Sequence, residues 1–141
     1  MDSIVTAFEE AIQAKDAEKG SESLTEAERV VLAVEVLERE VNNGGYDQYF
    51  VNTPGEDVEI VLESLSKIAC PVTAALTKRA IEALGPLPVI NSDTLDEAMS
   101  KEDEDRDEKL AEIDTEFLGT GERIDLKLFD YIKKNKASIL A

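Results

Sequence analysis

Apolar residues in this chain recur three and four positions apart along almost its whole length. That spacing lays a stripe along one side of a helix, whereas a half-buried strand needs alternation every second residue. The sequence therefore predicts an all-α, single-domain bundle of about six to eight helices. A length of 141 residues suits one core and one domain spanning 1–141.

Ile4, Val5, Phe8 and Ile12 predict a first helix over 3–15, capped by Asp2 or Ser3, with the polar stretch 16–23 as a loop. Thr25 and Glu28 form a capping-box pair, with Leu24 placed to staple the entry. The run behind them, from Val30 to Val41, is apolar on most sides, which predicts a central helix. Valine favours strands, but Glu35, Glu38, Arg39 and Glu40 recur at the spacing of a helix's outer face. Asn42-Asn43-Gly44-Gly45 should end that helix, since both residue types tolerate the left-handed backbone of a helix C-terminus. A short helical piece over 46–51 and a turn at 52–55 follow.

Further helices are expected over 56–68, over 72–84 behind Pro71, over 103–117, and from 124 or 125 to 135. Their expected inner faces are Val58, Val61, Leu62 and Leu65; then Ala75, Leu76, Ala80, Ile81 and Leu84; then Leu110, Ile113 and Phe117; then Leu126, Phe129 and Ile132. Gly85 should cap the second of these, residues 87–91 should be extended, and Thr94 with Glu97 reads as another capping box ahead of Leu95 and Met99. Gly119-Thr120-Gly121 reads as a turn.

Charge is the second constraint. Thirty-two acids against 15 bases leave a net charge of −17. Such a chain repels nucleic acid and anionic membranes, attracts basic surfaces, and is weakened by its own repulsion at low salt. No apolar run approaches the ~20 residues of a membrane span. The lone Cys70 allows no internal disulfide, and residues 1–8 lack the flanks of a signal peptide, so a cytoplasmic location is expected.

The absence of histidine removes histidine triads, dyads and histidine zinc sites, and one cysteine makes no thiolate site. Gly44-Gly45 and Gly119-x-Gly121 lack the remainder of any phosphate-cradling motif. Carboxylate-only hydrolysis stays open in principle, but no acid sits in an evidently apolar run. The expectation is a non-enzymatic protein with no cofactor and no metal.

Three constellations remain. Asp103, Asp105 and Asp107 occupy positions one, three and five of a calcium loop, but Glu108 replaces the glycine at six and Asp114 the glutamate at twelve. The same stretch reads better as a helix presenting Asp103, Glu104, Asp105, Asp107, Glu108 and Glu112 to a partner. Between Asp93 and Glu116 there are 12 acids and three bases. At ~1.5 Å per residue, acids three or four apart lie ~5–6 Å apart, similar to successive phosphates on one DNA strand. Glu9, Glu10, Glu35, Glu38, Glu56, Glu59 and Glu63 would extend that surface. The second constellation concentrates amides, glycines and aromatics: Asn42, Asn43, Gly44, Gly45, Tyr46, Asp47, Gln48, Tyr49, Phe50 and Asn52. It is either a tight fold-forming corner or a recognition surface for an interaction or immunity-type module. The third is the tail, where Arg123, Lys127, Lys133, Lys134 and Lys136 outweigh Asp125 and Asp130. These bases suit a helix C-terminus, or a contact with the acidic surface of a second copy in a homodimer.

The string Glu40-Val41-Asn42-Asn43-Gly44-Gly45-Tyr46-Asp47-Gln48-Tyr49-Phe50-Val51-Asn52 resembles the signature of the DNA-mimic protein C-terminal domain family, of neisserial DNA-mimic type. Ala75-Leu76 to Leu84-Gly85 is similar to that family's next helix, and the likeness covers about 25–135. The resemblance implies an acidic all-helical fold, often dimeric. It also implies a partner that is a basic nucleic-acid-binding protein, as in the typifying member, which occupies the DNA-contacting surface of a helix-turn-helix regulator. Direct nucleic-acid binding and membrane association are not expected.

Overall fold

A computed structural model describes residues 2–140 as seven α-helices and two 3₁₀ turns, with no strand among the described residues. The helices are α1 (Asp2–Lys19), α2 (Glu26–Asn52), α3 (Gly55–Lys67), α4 (Pro71–Ala83), α5 (Ser92–Ser100), α6 (Glu104–Gly119) and α7 (Ile124–Lys134). The all-α bundle is as the apolar spacing requires.

Helix α2 is the axle, packed by α1, α3, α5, α6 and α7, while α4 closes the bundle against α3 and α6. Its valine-rich middle is wholly buried from Val30 to Leu37 apart from Leu32, which is half-buried. Tertiary burial on nearly all sides outweighs the strand preference of valine. The capping box at its start is made: Glu28 N–H donates to Thr25 Oγ1 at 3.1 Å and Thr25 N–H to Glu28 Oε1 at 2.8 Å. Glu28 is fully buried and does more than cap. It also accepts from Lys15 Nζ and from the Leu140 N–H, both at 2.8 Å, tying α1 and the chain's last turn to α2.

Two other helix starts are capped from a distance. Pro71 occupies the first position of α4, and the free N–H groups of Val72 and Thr73 are taken by Glu122, 3.0 and 2.7 Å away in the α6–α7 connection. Gly55 opens α3 against the start of α5, where its N–H meets Ser92 Oγ at 3.0 Å and a Cβ would overlap the backbone of Asn91 and Ser92.

Several local expectations are corrected. Helix α1 runs to Lys19, because Ala17, Glu18 and Lys19 are good helix formers and polarity alone does not make a loop. It stops at Gly20, whose positive φ of 87° lets its N–H close back on Asp16 O at 2.7 Å. Ser3 lies inside this helix, and the side chain of Asp2 lies outside the described residues. The capping box of α5 is Asn91 with Thr94, one turn before the expected Thr94 with Glu97. Ala75 is exposed and Thr73 and Thr77 take the inner face of α4. Leu126 is exposed on α7, where Ile124, Leu128 and Ile132 repeat every fourth residue and form the buried row.

Candidate functional site

The amide-glycine-aromatic segment is a corner inside α2. Helical hydrogen bonding continues past Asn42 and Asn43 and breaks at Gly45, whose φ of 80° and ψ of −179° are far from left-handed helical values. This extended, positive-φ region belongs to glycine almost alone. The break turns the Tyr46 N–H towards α6, where it donates to Asp114 Oδ1 at 2.8 Å. A carboxylate from another helix therefore caps the second segment of α2. A Cβ on Gly45 would overlap that carboxylate, and one on Gly44 would overlap the Gln48 side chain, which donates to Glu40 Oε2 at 2.6 Å. Burial raises the Asp114 pKa against the pull of the Tyr46 N–H, with Asp47 adding to it.

Below the corner, Tyr46 is fully buried, with its Oη 2.7 Å from Thr77 Oγ1 and its ring edge-on to Tyr49 and Phe117. Gly45, Tyr46, Tyr49 and Phe50 are inside the protein, Gln48 is half-buried, and Asn42, Asn43, Gly44, Asp47 and Asn52 are exposed. The aromatics expected of a recognition surface are core. The segment forms a corner of the fold, and the helix end expected at 42–45 falls at Gly45, where a kink separates the long helix from the short helical piece that follows.

Asp114 leads to the acidic stretch, because α6 has two faces. Leu110, Ile113 and Phe117 point inward beside Asp114, and the outer face presents acids. All six carboxylates singled out from sequence are exposed, but they are not equivalent. Asp103 is the N-cap of α6, accepting from the Arg106 N–H at 3.0 Å. Asp107 is held by the buried Arg106 guanidinium at 3.1 and 3.2 Å, while Arg106 also donates to Ala98 O at 2.8 Å. Glu112 stands with Arg79 and Lys109 around a shallow pocket. The side chains of Glu104, Asp105 and Glu108 have no hydrogen bond or ion pair among the described residues. The calcium-loop pattern falls on regular helix. Of the acids expected to extend the surface, Glu9 and Glu35 are buried, and Glu9 is paired with Arg39 at 2.7 Å.

A second acidic feature was not read from sequence. A cleft of about 480 Å³ opens between α1 and α3 with α2 as its floor. Asp57 lies half-buried in it, and burial pushes its carboxyl up to about 6, with Glu56 and Asp16 adding to the rise and Arg29 opposing it. In sequence Asp57 is an ordinary first-turn acid; its burial depends on how α1 and α2 meet α3. Among the described residues no three acids or thiols are grouped as a metal site would require. No helix described is long and apolar enough to cross a membrane.

The structure thus defines an acidic helical bundle that shows unpaired carboxylates on one helix and uses its most distinctive sequence string for internal packing. The family model described as DMP19-like protein matches residues 22–135, and the chain belongs to that family. The family is of DNA-mimic type and is not a known enzyme family. No curated protein matches the chain, and no solved structure does.

Proposed function

We propose that this chain is a non-enzymatic binding protein that occupies the basic, DNA-contacting surface of a DNA-binding regulator. The observation that carries the reading is the outer face of α6, where Glu104, Asp105 and Glu108 stand exposed with no hydrogen bond or ion pair among the described residues. An acid already paired is screened by its own counter-charge, whereas an unpaired exposed one is available to a cation on a partner. Glu104, Glu108 and Glu112 also share one helix row at four-residue intervals, ~6 Å apart by helical rise, near the pitch of backbone phosphates. Membership of a DNA-mimic family supports the same class of partner. The family resemblance adds a homodimer, in which the basic tail of one copy meets the acidic face of another.

The test is affinity capture from lysate at low salt, eluted by a salt gradient and identified by mass spectrometry. The expected result is a DNA-binding protein that elutes at moderate salt and is displaced by duplex DNA. The discriminating variant is Glu104→Gln/Asp105→Asn/Glu108→Gln, because Asp103 and Asp107 also hold the start of α6. A partner whose binding ignores both added salt and this triple substitution would refute the proposal.

A further inference from the structure

In the α1–α3 cleft, acids and apolar side chains face the same space. Leu32 and Val36 of α2 and Ile60 of α3 supply apolar wall, and Asp16, Glu56, Asp57 and Glu59 supply carboxylates. Two cations also line it against six carboxylates, and Arg29, bonded to a neutral carbonyl, keeps its charge and acts on Asp57. Arg39 is paired with Glu9 at 2.7 Å, and Arg29 donates to Ser21 O at 2.6 Å. Glu40 is satisfied by Gln48, and Asp16 accepts from Ser21 Oγ at 2.9 Å. Glu56, Asp57 and Glu59 have no side-chain hydrogen bond or ion pair among the described residues.

A partly desolvated carboxylate without a partner costs folding free energy. Asp57 is such a group, as its raised pKa reflects. The volume lies within the ~300–1,000 Å³ range of sites that enclose small groups. A group whose chemistry matches this lining is cationic, with an apolar portion to cover Leu32, Val36 and Ile60.

We infer that this cleft receives an arginine side chain of the basic partner, the guanidinium meeting Asp57 and its acidic neighbours and the aliphatic stem lying on the apolar wall. This rests on the proposed binding of a basic DNA-binding protein. Arginine fits better than lysine because its planar fork bridges two carboxylates and is less strongly hydrated.

The test is a titration of the whole chain with N-acetyl-arginine methylamide, followed by backbone amide shifts, with the lysine analogue in parallel. Saturable shifts centred on Leu32, Val36, Asp57 and Ile60 are expected, stronger for the arginine probe. Asp57→Asn should weaken its binding about tenfold or more, the loss expected of one charge-assisted bond, and Glu59→Gln should weaken it less. Glu108→Gln should leave these shifts unchanged. In the captured complex, Asp57→Asn should lower affinity by a similar factor. Shifts that instead follow the outer face of α6, no response at tens of millimolar probe, or a partner that binds Asp57→Asn as well as wild type would each overturn the inference and leave the α6 reading intact. If the probe fills the cleft but duplex DNA displaces no captured protein, the α6 reading falls and the arginine-binding cleft stands.

Discussion

Gly45→Ala attacks the corner at its narrowest point, and its cost follows from two terms. The backbone at φ 80° and ψ −179° is closed to an L side chain, a strain of about 1–3 kcal/mol. The added methyl also overlaps the Asp114 carboxylate, so the bond from the Tyr46 N–H to Asp114, 2.8 Å in the native corner, is lost or lengthened. A hydrogen bond to a charged acceptor is worth about 1.5–3 kcal/mol. Together these give about 2.5–6 kcal/mol, a large share of the ~5–15 kcal/mol of a whole domain. Urea unfolding followed by circular dichroism measures it, and the Tyr46 amide shift reports the local break. Gly45→Asn separates this geometry from an ordinary helix C-cap. Asparagine tolerates left-handed helical backbone, but at this ψ it should cost about as much as alanine. In Gly45→Ala/Asp114→Ala the overlap is gone, so the double variant should lose less than the two single losses combined. A Gly45→Ala protein within 1 kcal/mol of wild type, with an unmoved Tyr46 amide, would refute the account.

Two further substitutions test buried carboxylates whose pKa values move in opposite directions. Burial raises the Asp57 carboxyl from 3.8 to about 6, so the folded chain binds its proton more tightly than the unfolded one. It therefore gains stability as pH falls from about 7 towards 4. Asp57→Asn should accordingly be more stable by about 1–2 kcal/mol at pH 7.5, after discounting for solvent screening and the lost helix-dipole term, and the gap should close by about pH 4. Urea melts across that range decide it, and equal or lower stability at pH 7.5 counts against the burial. For Glu28, burial alone would raise the pKa, but hydrogen bonds from Lys15, Thr25 and Leu140 hold it below 4.5. Its stabilisation is thus present above the unfolded pKa and lost as pH falls through the folded one. Glu28→Gln should cost about 1.5–3 kcal/mol at pH 7 and unprotect the Leu140 amide to hydrogen exchange, the loss shrinking in acid.

Most of the helices were legible because apolar spacing and capping residues are local signals. Thr25 with Glu28, Pro71, Gly85 and the Leu110-Ile113-Phe117 row all lie where the sequence places them. The misses have two causes. Some come from choosing between adjacent local signals: Asn91 outcompetes Thr94 as a cap, and Leu128 lies on the buried row where Leu126 does not. The others are long-range. Nothing near Glu122 announces that it caps α4, nothing near Asp114 that it caps Tyr46, and Asp57 acquires its burial from α1 and α2. The charge of the six α6 acids is plain in the sequence; their sorting into capping, paired and unpaired groups depends on where the Arg106 guanidinium is held.

Helix α6 divides its work between two faces, one turned to the glycine corner and one turned outward. Its inner face is fixed by Leu110, Ile113, Phe117 and Asp114, which must fit the glycine corner. Of its outer acids, Asp103 caps the helix, Asp107 meets Arg106 and Glu116 pairs with Arg79, while Glu104, Asp105 and Glu108 make no hydrogen bond or ion pair among the described residues. Stability and binding should then separate by face. Neutralising Glu104, Asp105 and Glu108 removes two first-turn acids that favour the helix by about 0.3–1 kcal/mol each, and relieves repulsion in a chain of net charge −17. The terms oppose, so the triple variant should lie within about 1 kcal/mol of wild type in a urea melt, and its stability should respond less to added salt. Asp114→Ala, about two to three turns further along the helix, should cost about 1.5–3 kcal/mol by orphaning the Tyr46 N–H. If the outer triple variant unfolds as readily as Asp114→Ala, its carboxylates serve the fold, and the outer face of α6 loses its claim as a surface free to meet a partner.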